Sequence, residues 1–247
     1  MYNYKLILQY DGGRYKGWQR LGRGEATIQD KIEQVLSQLD GQPVEIIGCS
    51  RTDAGVHALA QVANFKTKNK YGCDELMGYL NRYLPKDISI LKAEEAEEQF
   101  HARYHAKEKT YLYKIWNREY SNPFMRKYSM HVAERLEQEV MAQAGRYFVG
   151  THDFTAFSNA KSKKKSMERT IYSVEISHED DGFLHIRIRG DGFLYNMARW
   201  IVGTLIAVGL GRMKAEEIPE ILASKERGRA GDLAEALGLY LEKIVYE

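Results

Sequence analysis

From Phe193 to Leu210 the chain is almost wholly apolar. A helix that is hydrophobic on every side belongs either in a bilayer or in the middle of a folded core. Asn196 and Arg199 interrupt the run. An arginine at a bilayer centre costs about 2.5–3.5 kcal/mol on the insertion scale, which apolar neighbours could offset, so context decides. The run follows a charge-rich hairpin, precedes a soluble-looking helix and has no second span nearby. It predicts a buried core helix that the rest of the chain must cover, with no membrane role. Arg199 is then either paired inside the protein or snorkels from a helix end.

The composition can supply that cover. The chain has 247 residues, 44% of them hydrophobic, and only 4 prolines, enough for one large domain or two halves of about 120 residues. Disordered and collagen-like classes are excluded. Two cysteines, Cys49 and Cys73, cannot build a disulfide framework or a four-thiolate zinc site. With no apolar signal region after Met-Tyr-Asn-Tyr-Lys, the expected location is cytoplasmic.

Periodicity predicts strands at Tyr4–Tyr10, Val44–Gly48, Gln61–Lys66 and Ile88–Lys92, the middle two flanking a loop from Cys49 to Ala60. Thr27 caps a helix with Asp30 three residues on and Ile28, Ile32, Val35, Leu36 and Leu39 along one face. A second helix is expected over Asp74–Tyr83. The second half repeats the mixture: a strand at Thr110–Trp116, an amphipathic helix at Ala133–Phe148, and a hairpin of Arg169–His178 and Phe183–Gly190 across Glu179–Gly182. The apolar helix follows, then a short helix from Ala215 and a strand at Leu239–Tyr246. The expected fold is α+β: two related lobes of mixed or antiparallel sheet with helices packed on them, 1–105 and 106–247, and a cleft between them.

The formal net charge is only +2, but the charge is unevenly spread. From Phe100 to Met130, Arg103, Lys107, Lys109, Lys114, Arg118, Arg126 and Lys127 face only Glu108 and Glu119. Tyr104, Tyr111, Tyr113, Trp116 and Tyr120 are interleaved with them. A second basic run spans Lys161–Lys165. Cations alone describe any solvated face. Cations among aromatic rings tilt toward nucleic acid, because bases stack on such rings.

The most informative segment is Gly48–Ala58, which packs Arg51, Thr52, Asp53 and His57 into an inter-strand loop. A carboxylate there can be a general base, a nucleophile, a metal ligand or simply a turn-former. Arg51, two residues earlier, would favour its ionised form. No second carboxylate or histidine stands at a familiar ligand spacing, so a metal is not expected. His101 and His105 are four apart, but they lead straight into a strand.

Arg51-Thr-Asp-Ala-Gly-Val-His-Ala58 resembles the active-site motif of the tRNA pseudouridine synthase A family. Further blocks match in the family's order: Tyr10-Asp-Gly12, Gly17-Trp-Gln19, Ile28-Gln29, Asn81, Leu84-Pro85, Asp87-Ile88, Phe100-His-Ala-Arg103 and Lys109-Thr-Tyr111-Leu-Tyr113. Asp153-Phe-Thr-Ala-Phe157, Arg169-Thr170, Phe193, Asn196-Met-Ala-Arg199, Ile201-Val-Gly203 and Gly238-Leu-Tyr240-Leu continue the match to the end.

The resemblance implies an isomerase, without cofactor or metal, that turns uridine into pseudouridine at positions 38, 39 and 40 of the tRNA anticodon arm, working as a homodimer. It implies Asp53 as the catalytic carboxylate, Tyr111 as a ring against the uracil, Arg199 as a basic residue beside the acid and Arg51 as a substrate contact. Attack on C1′, addition to C6 and promotion of elimination all stay open. The chain departs from the pattern at Ser50, where glycine is common, in the proline-free Arg227–Leu237, and in the strongly basic Lys161–Lys165. A paralogue acting on another RNA, or an RNA-binding module without catalysis, is the alternative. A metal-dependent nuclease is a weaker third.

Overall fold

A computed structural model describes residues 1–22, 24–159, 166–179 and 182–247. The Lys161–Lys165 run and the Asp180-Asp181 centre of the expected hairpin turn lie outside the described residues. The chain divides into two compact units, one of Met1–Lys107 with Tyr240–Glu247 and one of Glu108–Leu239.

In the first unit β1 (Tyr2–Tyr10) alternates as expected, burying Tyr4, Leu6 and Leu8 completely. Thr27 caps α1 (Ile28–Asp40), its hydroxyl accepting the Asp30 N–H at 3.3 Å, and Ile28, Ile32 and Leu36 form the buried stripe. β2 (Ile46–Gly48) and β1 both pair antiparallel with β3 (His57–Thr67). α2 (Cys73–Tyr83) leads into β4 (Ile88–Ala96), which pairs antiparallel with the other edge of β1.

In the second unit β5 (Glu108–Trp116) takes the two-residue β6 (Met130–His131) in parallel. α3 (Gln138–Arg146) and β7 (Gly150–Asp153) follow. β8 (Glu168–His178) lies between β7 and β9 (Leu184–Gly190), and β9 pairs antiparallel with β5. α4 (Met197–Gly209) packs against α3, and α5 (Ile218–Ser224) follows it. The last strand, β10 (Leu239–Val245), belongs from Tyr240 onward to the first unit and pairs there in parallel with β3, Tyr240 opposite His57.

The apolar run folds as expected in kind but is shorter. α4 has 13 residues, about 20 Å of helix against roughly 30 Å of hydrocarbon. Among the described residues no helix is long and apolar enough to cross a membrane. Asn196 stops the helix on its N-terminal side with φ of 62°, a left-handed conformation that asparagine tolerates better than most residues. The helix expected from Ala133 begins only at Gln138. Asn117 intervenes: its amide donates to the carbonyls of Val132 and Glu134 at 2.8 and 2.7 Å, and its oxygen accepts from the Leu136 N–H at 3.1 Å.

Candidate active site

The loop that begins at Cys49 ends at Val56 rather than Ala60, because the parallel pairing with β10 extends β3 back to His57. The loop is held at several steps. Both backbone groups of Ser50 bind the buried Gln61 side chain, the N–H at 3.1 Å and the carbonyl at 2.7 Å. Among the described residues only Asn196 and Lys225 adopt positive φ outside glycine, so Ser50 needs no glycine-like backbone. Thr52 receives the Trp18 N–H on its carbonyl at 3.0 Å and shares a 2.7 Å hydrogen bond between its hydroxyl and that of Tyr10. Tyr10 is buried, which pushes its phenol pKa upward and keeps it protonated.

Asp53 opens a tight turn closed by the Val56 N–H on its carbonyl at 3.1 Å, with Gly55 at φ of 80° supplying the left-handed residue such a turn requires. The Asp53 side chain is half-buried at the turn's head. Two glycines from the family blocks press on the loop. A β-carbon on Gly17 would stand 2.6 Å from the Thr52 carbonyl oxygen, and one on Gly12 would stand 1.9 Å from that of Val56. Gly48 lies under the Trp18 ring, where a β-carbon would come within 2.3 Å. The Tyr10–Gly12 and Gly17–Gln19 blocks are thus one piece of packing with the Asp53 loop.

His57 stacks on Tyr240, ring centroids 4.8 Å apart and 23° between planes. Its Nδ1 accepts the Gly12 N–H at 3.2 Å and lies 3.1 Å from Asp11 Oδ1, so it braces the Asp11-Gly12 turn. Arg51 is exposed on the same loop. Its pKa is lowered by partial desolvation and, secondarily, by the like charge of Arg103. The residues that sequence reasoning missed as supports are Tyr10 and Gln61. Both are polar groups at fully inward strand positions, where alternation asks for apolar ones.

In the second unit Tyr111 is buried on β5, edge-on to Phe193 with centroids 4.8 Å apart and 75° between planes. Arg199 lies in the first turn of α4, half-buried, and its Nε donates to the Ala234 carbonyl at 2.6 Å. Gly203, one turn on, abuts the same segment: a β-carbon there would stand 1.6 Å from the Asp232 carbonyl oxygen. The cost of burying the Arg199 guanidinium is therefore met in part by a backbone carbonyl.

The family model described as tRNA pseudouridine synthase matches residues 6–105 and 144–247, which fixes the class of protein. Full-length relatives narrow it. The chain is 61% identical over 246 residues to "tRNA pseudouridine synthase A 2" of Bacillus cereus (strain ZK / E33L), with 100% of both chains covered. It is 48% identical, again over 100% of both, to "tRNA pseudouridine synthase A" of Acetivibrio thermocellus (strain ATCC 27405). The chain belongs to the tRNA pseudouridine synthase A family, a family of isomerases.

Proposed function

We propose that this protein isomerises uridine to pseudouridine in the anticodon arm of tRNA, as a cytoplasmic homodimer, with Asp53 as the nucleophile. Tyr111, Arg51 and Arg199 bind the substrate. In the reaction the bond from ribose C1′ to base N1 breaks, the base turns, and C1′ bonds to C5. The C5 hydrogen leaves as a proton and N1 gains one, so there is no net oxidation. An ionised carboxylate can attack at neutral pH without a separate base, unlike serine or lysine. Tyr111 stacks on the uracil, and its hydroxyl assists removal of the C5 proton. The target base must leave its stack at a cost of a few kcal/mol, which phosphate contacts supply.

The observation that carries this reading is the half-buried Asp53 on a turn fixed from both sides by Gly12, Gly17 and the Tyr10–Thr52 hydrogen bond. A module that only binds RNA gains nothing from holding one carboxylate so firmly. The test is tritium release from unmodified tRNA carrying [5-³H]uridine, with chelator present, for wild type and Asp53→Asn. Release by wild type, and a loss of at least about a thousandfold in the variant with tRNA binding kept, is the expected result. Release that survives Asp53→Asn would remove the nucleophile. Binding without any release by wild type would favour the paralogue or the non-catalytic module.

A further inference from the structure

The turn from Phe100 to His105 is clamped from beneath. Asn3 donates to the Phe100 carbonyl at 3.0 Å, Asn64 accepts the Ala102 N–H at 2.9 Å, and the Tyr246 hydroxyl donates to the Ala102 carbonyl at 2.7 Å. Ala102 is fully buried against Val62 and Cys49, and Cys49 is the residue that opens the Asp53 loop. Above this floor, His101 Nδ1 accepts the N–H groups of both Arg103 and Tyr104, at 3.1 and 3.2 Å. The Tyr104 ring lies nearly parallel on the His101 imidazole, centroids 4.2 Å apart and 28° between planes.

Tyr104 is nevertheless 78% exposed. Exposed rings are ordinarily mobile, and ordering one on binding costs conformational entropy. Here the fold has already ordered it, one face on His101 and the other to solvent. Its surroundings are cationic. Arg51 is lowered in pKa first by desolvation and then by the nearby charge of Arg103, and the His101 imidazole is lowered chiefly by desolvation, with His105, Arg103 and Lys66 adding to it. A ring presented face-out among repelling cations suits a partner that is both flat and anionic, which is the description of a nucleotide.

The geometry points to Tyr104, backed by His101, as a stacking platform for a tRNA base beside the target uridine, with Arg51 and Arg103 on the adjoining phosphates. This rests on the tRNA reading above and adds to it a residue and a role. The platform lies against the start of the loop that carries Asp53, so a base held there would fix the strand on which the target uridine lies.

The probe is an unmodified tRNA transcript, with dissociation constants measured at several salt concentrations. Tyr104→Ala should weaken binding by roughly 10- to 100-fold, while Tyr104→Phe recovers most of the loss and Tyr104→Leu does not. Arg103→Ala should lower the slope of log affinity against log salt by about 1, whereas Tyr104→Ala leaves the slope unchanged. Because the ring is exposed, the thermal midpoint of Tyr104→Ala should match wild type. If wild type binds tRNA and releases tritium but Tyr104→Ala binds within about twofold of it, the platform alone falls. Leucine performing as well as phenylalanine would also overturn it, as would a drop in particle mass on Tyr104→Ala, which would make the ring a contact between copies. If wild type neither binds tRNA nor releases tritium, the tRNA reading falls first and takes the platform with it.

Discussion

The α-carbon of Gly12 rests against the carbonyl oxygen of Val56, so closely that a β-carbon would stand 1.9 Å away. Val56 closes the turn that Asp53 opens, through its N–H on the Asp53 carbonyl at 3.1 Å. A glycine more than forty positions upstream therefore sets the height of the carboxylate's turn.

Gly12→Ala tests that relationship. The obstructing atom is backbone and cannot swing aside, so the loop must move. Overpacking of this kind costs about 1–3 kcal/mol or more. Chemical denaturation should reveal that loss, and tritium release should fall by at least about tenfold, the shift expected when a reacting group is misplaced by a fraction of an ångström. An alanine variant with wild-type stability and turnover would disprove the contact.

Tyr10→Phe removes one hydroxyl and leaves two buried partners behind, the Thr52 hydroxyl at 2.7 Å and the Gln61 amide at 3.4 Å. An unsatisfied buried polar group costs about 1–3 kcal/mol. We expect a destabilisation in that range by urea unfolding, and a fall in turnover because Thr52 adjoins Asp53. Loss of stability without loss of turnover would separate the network from the site.

Asn117→Ala releases the carbonyls of Val132 and Glu134 and the N–H of Leu136 together. The predicted loss is about 1–3 kcal/mol. Hydrogen exchange should quicken over 132–137 while the centre of α4 stays protected. Unchanged exchange in that segment would mean that Asn117 does not hold it.

Glu179 is held at a pKa of about 2 by hydrogen bonds from Ser177 and Arg187, aided by the charge of His185. Its folded pKa lies below the unfolded value, so the interaction stabilises the fold above about pH 4.5 and is lost as pH falls toward 2. The group is open to solvent, so the effect is small. Thermal midpoints of wild type and Glu179→Gln should differ most near neutrality and converge through that acid window. A difference that stays constant from neutrality into acid would rule out the ion pair as its source.

Much of this was readable from residue order, and the exceptions have physical causes. Thr27 announced α1 because a cap acts on the N–H three residues away, a purely local event. The Arg51–Ala58 loop declared itself by its residue types. Its end did not, because His57 and Ala58 pair with Tyr240 and Leu241, far along the chain, besides the pairing of Ala58 with Tyr10. The onset of α3 was missed for the same reason, since amphipathic spacing in 133–137 does not record that Asn117 has claimed the backbone. β6 and β7 span two and four residues, too short for alternation to register. The role of Gln61 is visible only in retrospect, as a polar residue on an inward position of β3.

The late arrival of Tyr240 and Leu241 also has a consequence in time. Chains fold as they are synthesised, N-terminal parts first. The residues that flank Asp53 emerge from the ribosome long before the strand that completes their edge, and the ring on which His57 stacks comes with that strand. A nascent chain thus carries the Asp53 loop unfinished until Tyr240 and Leu241 have been made and have paired beside it. The edge of the loop is complete once β10 has docked.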